Sequence, residues 1–569
     1  MEKSQLLMGT FSTQPIVLGN LIGSALSLEI SALYQECKYP LVVICTDQQT
    51  VVRLEQELQY IYPKENILVF RDYETLPYEM LAAHQDIISS RLEFLARIPF
   101  IKKGIILTSI NAIMQRLCPL DYLKQNSFVI HKGDKLDIEH FRKTLVELGY
   151  LQVEQVLSHG EFAVRGDLLD IFPMGHHTPV RINFFDVEVD SIFTFDAQTQ
   201  ISDVRIEDMQ ILPANEFSLT KDSISLFRSQ YRDAFSQSQV ASHIVYKEIS
   251  RGNTPAGIEY YLPLFFKETS TFFDYISAKA HYALVGDFDK AIVQYEDYLH
   301  QRERTLLGNR DRRALPVERV FLSASDIKTI LQDKERLTLR AEQLPAAQGN
   351  YQAPCALVPT IAFDHHKKNK AESLIAFVKD FCTNSHGRIL ISAISEGRRQ
   401  SLRDLLPQEL ISEFGLHSAS SFKNFLQSSH PLMMTIAPFD QGVIFDKDKA
   451  TAQLIEKDPH LNELGVLFPE IDNIQKPLAI LTETELLGFQ VVRTRRRSSK
   501  AGQIDQDTII KNLAQLTEGQ IVVHIDHGIG RYRGLKTEVI NGVQGEYLTI
   551  EYLNGDMLSI PPVSSNLNH

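Results

Sequence analysis

Apolar and polar positions change rhythm several times along this chain. Near the start, short apolar runs alternate with helix-length amphipathic stretches. Pro15–Gly19 precedes a helix near 24–36 and Leu41–Cys45 a helix near 48–60. Ile67–Phe70 follows, and Ile105–Ser109 precedes a helix near 110–117. Strands separated by helix-length segments predict parallel pairing with crossovers. From 128 to 212 the rhythm shifts. One amphipathic helix (about 136–148) gives way to two-residue alternation in EFAVRGDLLDIFP, PVRINFF and DSIFTFD, which predicts a small α+β domain with antiparallel strands.

Residues 213–345 are mixed, with helical patterns such as SISLFRSQYRDAFS and KAIVQYEDYLHQRERTLL, and a polar linker is expected around 343–353. Residues 354–490 read as α/β again: helix SLIAFVKDFC, strand RILISAI, helix GRRQSLRDLLPQ, then strands LMMTIAP and PLAILT. The polar segment 446–476 reads as a surface insertion. A basic linker spans 491–505. From 506 to 569 one helix (DTIIKNLAQL) is followed by four β runs, with Asn541-Gly542 and Asn554-Gly555 as hairpin turns. The expected fold is therefore multi-domain α/β and α+β: a degenerate P-loop-like α/β domain over 1–127, a small antiparallel α+β domain over 128–212, a second α/β unit over 354–490, and a small C-terminal β-barrel.

Composition narrows the function classes. The 569 residues are 44% hydrophobic and 23% charged, a globular mix able to fill roughly three to five domains. Lys and Arg total 58 against 71 Asp and Glu, a net charge of -13. A chain that mainly coats DNA is usually basic, so the balance favours protein partners. The five cysteines are widely spaced and form no C-x-x-C, which suits buried, reduced thiols rather than a zinc ribbon. The start, MEKSQLLMGTFSTQ, has no basic segment leading into an apolar core, and no stretch approaches the ~18–20 apolar residues of a membrane span. A cytoplasmic protein without membrane contact is expected.

Missing motifs exclude chemistry. A phosphate-binding loop needs G-x-x-x-x-G-K-[S/T], so that backbone amides cradle phosphate, lysine reaches the β/γ-phosphates and a hydroxyl holds Mg²⁺. Counted from Gly19, the Gly, Lys and Ser/Thr places fall on Ser24, Ala25 and Leu26, and no Gly-Lys or Asp-Glu dipeptide occurs anywhere. H-E-x-x-H and G-x-S-x-G are absent too. Gly528-Ile529-Gly530-Arg531-Tyr532-Arg533-Gly534 has one residue too many for a dinucleotide fingerprint and lies between strands, so it reads as a turn. The pairs His176-His177 and His365-His366 lack acidic or Cys partners at ligand spacing. No catalytic residue and no metal site are predicted.

Three long segments, in order, carry a resemblance. The first is Phe70-Arg-Asp-Tyr-Glu74-Thr-Leu-Pro77-Tyr78 with His84-Gln-Asp-Ile-Ile-Ser-Ser-Arg91. The second is Gly160-Glu-Phe-Ala-Val-Arg165-Gly166-Asp-Leu-Leu-Asp170-Ile-Phe-Pro173 with Arg181-Ile-Asn-Phe-Phe185-Asp. The third is Val523-His524-Ile-Asp526-His527-Gly528-Ile-Gly530-Arg531-Tyr532 with Gly545-Glu-Tyr547-Leu; Pro255-Ala-Gly257-Ile-Glu-Tyr adds to them. Together they resemble the bacterial transcription-repair coupling factors. The resemblance implies a UvrB-like module to about 345, with its remainder over 213–345, a family-specific third unit, and an RNA polymerase-interacting domain at 506–569 similar to Tudor and CarD-type barrels. It implies the UvrA repair protein and the RNA polymerase β subunit as partners. In the family, ATP and Mg serve a RecG-like translocase motor, which also makes the main DNA contacts. That motor and a C-terminal domain thought to mask the UvrA surface are absent from these 569 residues. The chain alone is thus expected to lack cofactors and ATP turnover and to hold UvrA constitutively. UvrB proper also carries a long aromatic hairpin, for which Phe70–Arg91 is too short.

In Arg181-Ile182-Asn183-Phe184-Phe185, alternation puts Arg181, Asn183 and Phe185 on one face and Ile182 and Phe184 on the core face. Spacing alone leaves two readings open: an interface, which arginine and aromatics anchor well, or a second small core for Phe185 with solvated arginines. The resemblance implies the interface, assigning Arg165, Arg181 and Phe185 to UvrA docking. Asp526, His527, Ile529, Arg531 and Tyr532 are the polymerase candidates. Arg493, Arg495, Arg496 and Arg497 either touch DNA phosphates or lie on acidic domains of the chain itself. Two other functions stay open from sequence: a UvrB-type ATP-dependent enzyme on damaged DNA, and a CarD-like transcription regulator.

Overall fold

The computed structural model describes residues 16–63, 67–79, 82–235, 240–306, 313–363, 371–463, 477–488, 521–524, 528–540, 543–551, 557–560 and 567–568. They fall into two compact units, Met1–Gln490 and Val491–His569. The architecture is mixed α/β with several sheets.

The first unit opens on a seven-stranded parallel sheet. Its order is Asn350–Gln352, Val17–Gly19, Arg336–Leu339, His281–Val285, Leu41–Cys45, Ile105–Ser109 and Ile67–Phe70. Leu41–Cys45 and Ile105–Ser109 are buried at every position. A strand covered by helices on both faces needs such unbroken apolar runs. The strands near the start of the chain were legible; the three from beyond residue 280 were not. The expected linker at 343–353 needs correcting, because Asn350–Gln352 is the sheet's edge strand beside Val17–Gly19. A three-residue run carries too little pattern to separate strand from linker.

An antiparallel domain is inserted after this sheet's early strands. Its six strands run in the order Ser202–Ile206, Glu188–Phe195, Val180–Phe185, Leu168–Ile171, Glu161–Arg165 and Leu151–Gln152; only the last pair is parallel. Phe128–His131 pairs with Asp208–Ile211 at the domain's two ends. The inner face, with Phe162, Leu169, Ile182 and Ile192, joins Phe141 and Leu145 of helix Ile138–Glu147 in one core.

The third sheet runs Cys355–Ala356, Val443–Phe445, Leu478–Leu481, Arg388–Ala393, Leu432–Ile436 and His417–Ser418. Val443–Phe445 is antiparallel to both neighbours. This sheet shares a core with the first: Leu33, Val43 and Leu107 meet Phe422, Phe425, Met433 and Phe439. The supposed surface insertion at 446–476 is corrected as far as it is described. Helix Lys447–Lys457 and turn His460–Glu463 bury Ala450, Leu454 and Leu461, and the Ala346 amide donates to Asp458 at 3.1 Å. Many charges hid three apolar anchors.

The second unit is a five-stranded antiparallel sheet: Met557–Ile560, Val543–Glu551, Gly528–Ile540, Ile521–His524 and Leu567–Asn568. The glycine run read as a turn is instead the start of its longest strand. Gly530 pairs with Val522, and only Gly534, at φ 91°, bends the strand, in a register shift between Tyr532 and Leu535. That φ suits glycine alone among common residues. The expected linker 491–505, the helix DTIIKNLAQL (507–516) and both Asn-Gly turns lie outside the described residues.

Candidate docking face and the closed phosphate loop

Residues opposite one another in an antiparallel pair share a face. Arg165 lies opposite Leu168, Leu168 opposite Asn183, and Asp170 opposite Arg181. Arg165, Asp170, Arg181, Asn183 and Phe185 therefore share the outer face of the inserted sheet. Phe185 is 79% exposed at the start of the Phe185–Glu188 hairpin, where Asp186 takes φ 59°. Arg165 is exposed as well, and its Nη2 donates to the Glu154 carbonyl.

Arg181 behaves differently. Its side chain is only 17% exposed. Nε and Nη2 fork onto Asp170 at 2.7 and 2.9 Å, while Nη1 donates to the Gln200 carbonyl at 3.2 Å and Ser202 Oγ at 3.4 Å. The guanidinium also lies 4.9 Å over the Phe195 ring. The hydrogen-bonded Asp170 carboxylate holds its pKa above the ordinary arginine value. The reading that puts Phe185 in a second small core is corrected: the ring is exposed, and it is Arg181 that is tied down. A second small core exists on this face, but Val156, Ala163, Phe172 and Phe195 build it, not Phe185. Asp170, almost fully buried, was missed: its partner is set by cross-strand register, which local spacing does not reveal.

Of the polymerase candidates, Arg531 is exposed and Ile529 lies in the strand from Gly528. Tyr532 is 5% exposed and turned inward, so it is withdrawn as a contact: an alternating strand sends it to the side opposite Arg531 and Arg533. Asp526, His527, Arg493, Arg495, Arg496 and Arg497 lie outside the described residues.

The loop after Val17–Gly19 stands where a phosphate loop would. Helix Ala25–Glu36 begins there, with Ser24 at its N-cap. A helix N-terminus offers unpaired amides that suit an anion. Here the Ser24 amide and hydroxyl both donate to the Gln441 carbonyl, at 3.2 and 2.8 Å. Asn20 Nδ2 donates to the carbonyls of Ala353 and Cys355, both at 2.8 Å. A Cβ on Gly23 would sit 2.7 Å from the Gly442 oxygen. The third sheet's own backbone occupies this seat. Among the described residues no three His, Cys, Asp or Glu side chains are grouped to hold a metal ion. Burial raises the Cys37 thiol to about 12, which suits an inert core residue. No helix among the described residues is long and apolar enough to cross a membrane.

Geometry therefore defines a class: a multi-domain α/β chain with an antiparallel domain inserted into its first unit. Family comparison agrees. The UvrB interaction domain matches residues 128–217, the MFD, D3 domain 381–458, and the CarD-like/TRCF RID domain 516–567. The kinship is with the transcription-repair-coupling factors. The chain is 35% identical over 554 residues to that of Haemophilus influenzae and 34% over 552 to that of Escherichia coli K12, covering 97% of itself and 45% and 44% of those proteins. The Bacillus subtilis factor is 24% identical over 559 residues. The chain spans less than half the length of these relatives.

Proposed function

We propose that this chain is the docking part of a factor that couples a stalled RNA polymerase to nucleotide excision repair. The inserted domain takes UvrA on its outer face, and the terminal sheet takes RNA polymerase through its β subunit. The first α/β sheet is a nucleotide-binding framework kept as a scaffold, so ATP-driven translocation belongs to a motor beyond these residues. The observation that carries the reading is Phe185, a large aromatic left bare on the sheet face it shares with Arg165, a face that the chain otherwise braces with a buried ion pair.

Titrating UvrA against the chain tests it. A central aromatic anchor is worth about 2 kcal/mol or more, roughly thirtyfold in affinity. Phe185→Ala is expected to weaken UvrA binding by at least that factor without changing the fold. Unchanged binding in both Phe185→Ala and Arg165→Ala would remove the outer face as the docking site.

A further inference from the structure

The parallel sheet has two ends. Its C-terminal end, where α/β sheets normally hold ligands, is the one closed by Gln441. At the opposite end, three neighbouring strands start side by side: His281–Val285, Leu41–Cys45 and Ile105–Ser109. Their first residues are laced together, the Leu41 amide donating to the Gly104 carbonyl and the His281 amide to the Pro40 carbonyl, each at 3.0 Å. The segments entering these strands carry Lys279, then Lys38 and Tyr39, then Phe100, Lys102 and Lys103. All six are exposed, and Phe100 is 77% exposed.

The lysines are partly ordered by aromatic rings. Lys279 Nζ lies 5.2 Å over Tyr39 and Lys103 Nζ 5.0 Å over Tyr34. Tyr39 in turn packs 6.3 Å from the His281 ring. Among the described residues none of the four lysines forms an ion pair with a carboxylate. The nearby Glu335 is held by His281 at 2.9 Å, and Arg97 is held by Glu93 at 2.6 Å. Glu36, which with Glu335 acts electrostatically on Cys37, is a further carboxylate on this side. In a chain of net charge -13, four such lysines in this small area run against the overall balance.

We propose that this rim binds single-stranded nucleic acid, its lysines meeting the phosphates and Phe100 stacking on a base. Three adjacent strand starts span roughly 10 Å at about 4.8 Å per strand, room for a short run of backbone phosphates. Cations spaced along a backbone with a bare aromatic beside them make a sequence-tolerant stacking platform. The rim lies on strands the UvrA reading does not use, so the two proposals stand or fall separately.

Fluorescence anisotropy of fluorescein-labelled dT12, titrated with the whole chain at several salt concentrations, tests it. Phe100→Ala is expected to weaken binding about tenfold, as loss of one stacked base does. The double variant Lys102→Ala/Lys103→Ala is expected to flatten the salt dependence by about 1.4 in the log–log slope, ~0.7 for each single-strand phosphate that a lysine no longer neutralises. All three side chains are exposed, so the thermal unfolding midpoint should not move. The proposal is overturned if these variants bind dT12 like the parent while the quadruple variant Arg493→Ala/Arg495→Ala/Arg496→Ala/Arg497→Ala loses binding. It is equally overturned if poly-glutamate displaces dT12 as well as unlabelled dT12 does, since the rim would then fit acidic protein. A 12-base-pair duplex binding as tightly as dT12, with no effect of Phe100→Ala, also overturns it.

Discussion

The parallel sheet around Leu41–Cys45 and the antiparallel sheet around Val180–Phe185 lie in one compact unit yet offer their surroundings opposite things. The first is covered on both faces, so only its strand ends are open to ligands, and at one end Ser24 and Asn20 are tied to carbonyls of 441, 353 and 355. The second packs its inner face on the main core and only part of its outer face on a small cluster, leaving Phe185 and Arg165 exposed on the rest. A two-sided sheet meets ligands at its edges, where a few backbone carbonyls can close it. A one-sided sheet meets partners across a whole face, and side-chain identity decides what that face does.

The largest effect should come from parting the two regions. Arg91, on the helix after the first sheet's third strand, is fully buried, and Glu216 lies just past the inserted domain. Their ion pair is 2.6 Å long, with the guanidinium 4.6 and 4.0 Å over the rings of Phe70 and Tyr73, and Arg91 Nη1 donating to the Arg71 carbonyl at 2.6 Å. Burial works against the Arg91 charge, yet the Glu216 carboxylate outweighs it and holds the pKa above the ordinary value. Arg91→Ala strands a buried carboxylate and should cost about 3–5 kcal/mol of unfolding free energy. Chemical denaturation measures it, and a loss below about 1 kcal/mol would mean the pair is not the seam.

Within the antiparallel sheet, two residues assigned one role should separate. Arg181→Ala leaves Asp170 buried without its partner and should cost about 2–3 kcal/mol of stability. Phe185→Ala removes an exposed ring and should stay within about 0.5 kcal/mol. If both lower UvrA binding but only Arg181→Ala lowers stability, Arg181 supports the face and Phe185 touches the partner. Equal stability losses would remove that distinction.

On the parallel sheet the matching test is Gly23→Ala. The new methyl would meet the Gly442 oxygen at 2.7 Å in a backbone of φ 52°, which should cost about 1–3 kcal/mol. ATP with Mg²⁺ should give no binding heat with either parent or variant. ATP binding with robust turnover in the parent would show that the phosphate seat opens, and would revive the enzyme reading.

What was legible in the sequence follows how local each feature is. Alternation alone put Ile182 and Phe184 inward and Phe185 outward, because a strand's two faces are written in consecutive residues. The sequence after Gly19 lacks the Gly-Lys that a phosphate loop needs. What fills that place was not legible, since Gln441 lies 417 positions from Ser24. The same holds for Asp170 opposite Arg181 and for the strands beyond residue 280 that complete the first sheet. Each depends on register or on crossovers between distant segments. Tyr532 failed for another reason: glycines on both sides suggested a turn, and a turn would have exposed it.

The smallest effect concerns the loop that holds Arg181 from the other side. The Asp196 carboxylate accepts from the Thr199 amide at 2.8 Å, the Gln198 amide at 3.1 Å and Thr199 Oγ1 at 3.0 Å. That turn presents the Gln200 carbonyl to Arg181. The Thr199 amide, then its hydroxyl, hold the Asp196 pKa below the ordinary carboxylate value. A depressed folded-state pKa contributes stability that is present above the unfolded value, about 3.9, and is lost as pH falls through the folded value below it. Asp196 is well exposed, so solvent keeps the contribution small. The stability gap between the parent and Asp196→Asn should therefore be widest at neutral pH and shrink as the pH is taken below about 4. A gap that stays constant into acid would show that the turn rests on geometry the amide reproduces, and that charge on this loop does nothing to steady Arg181.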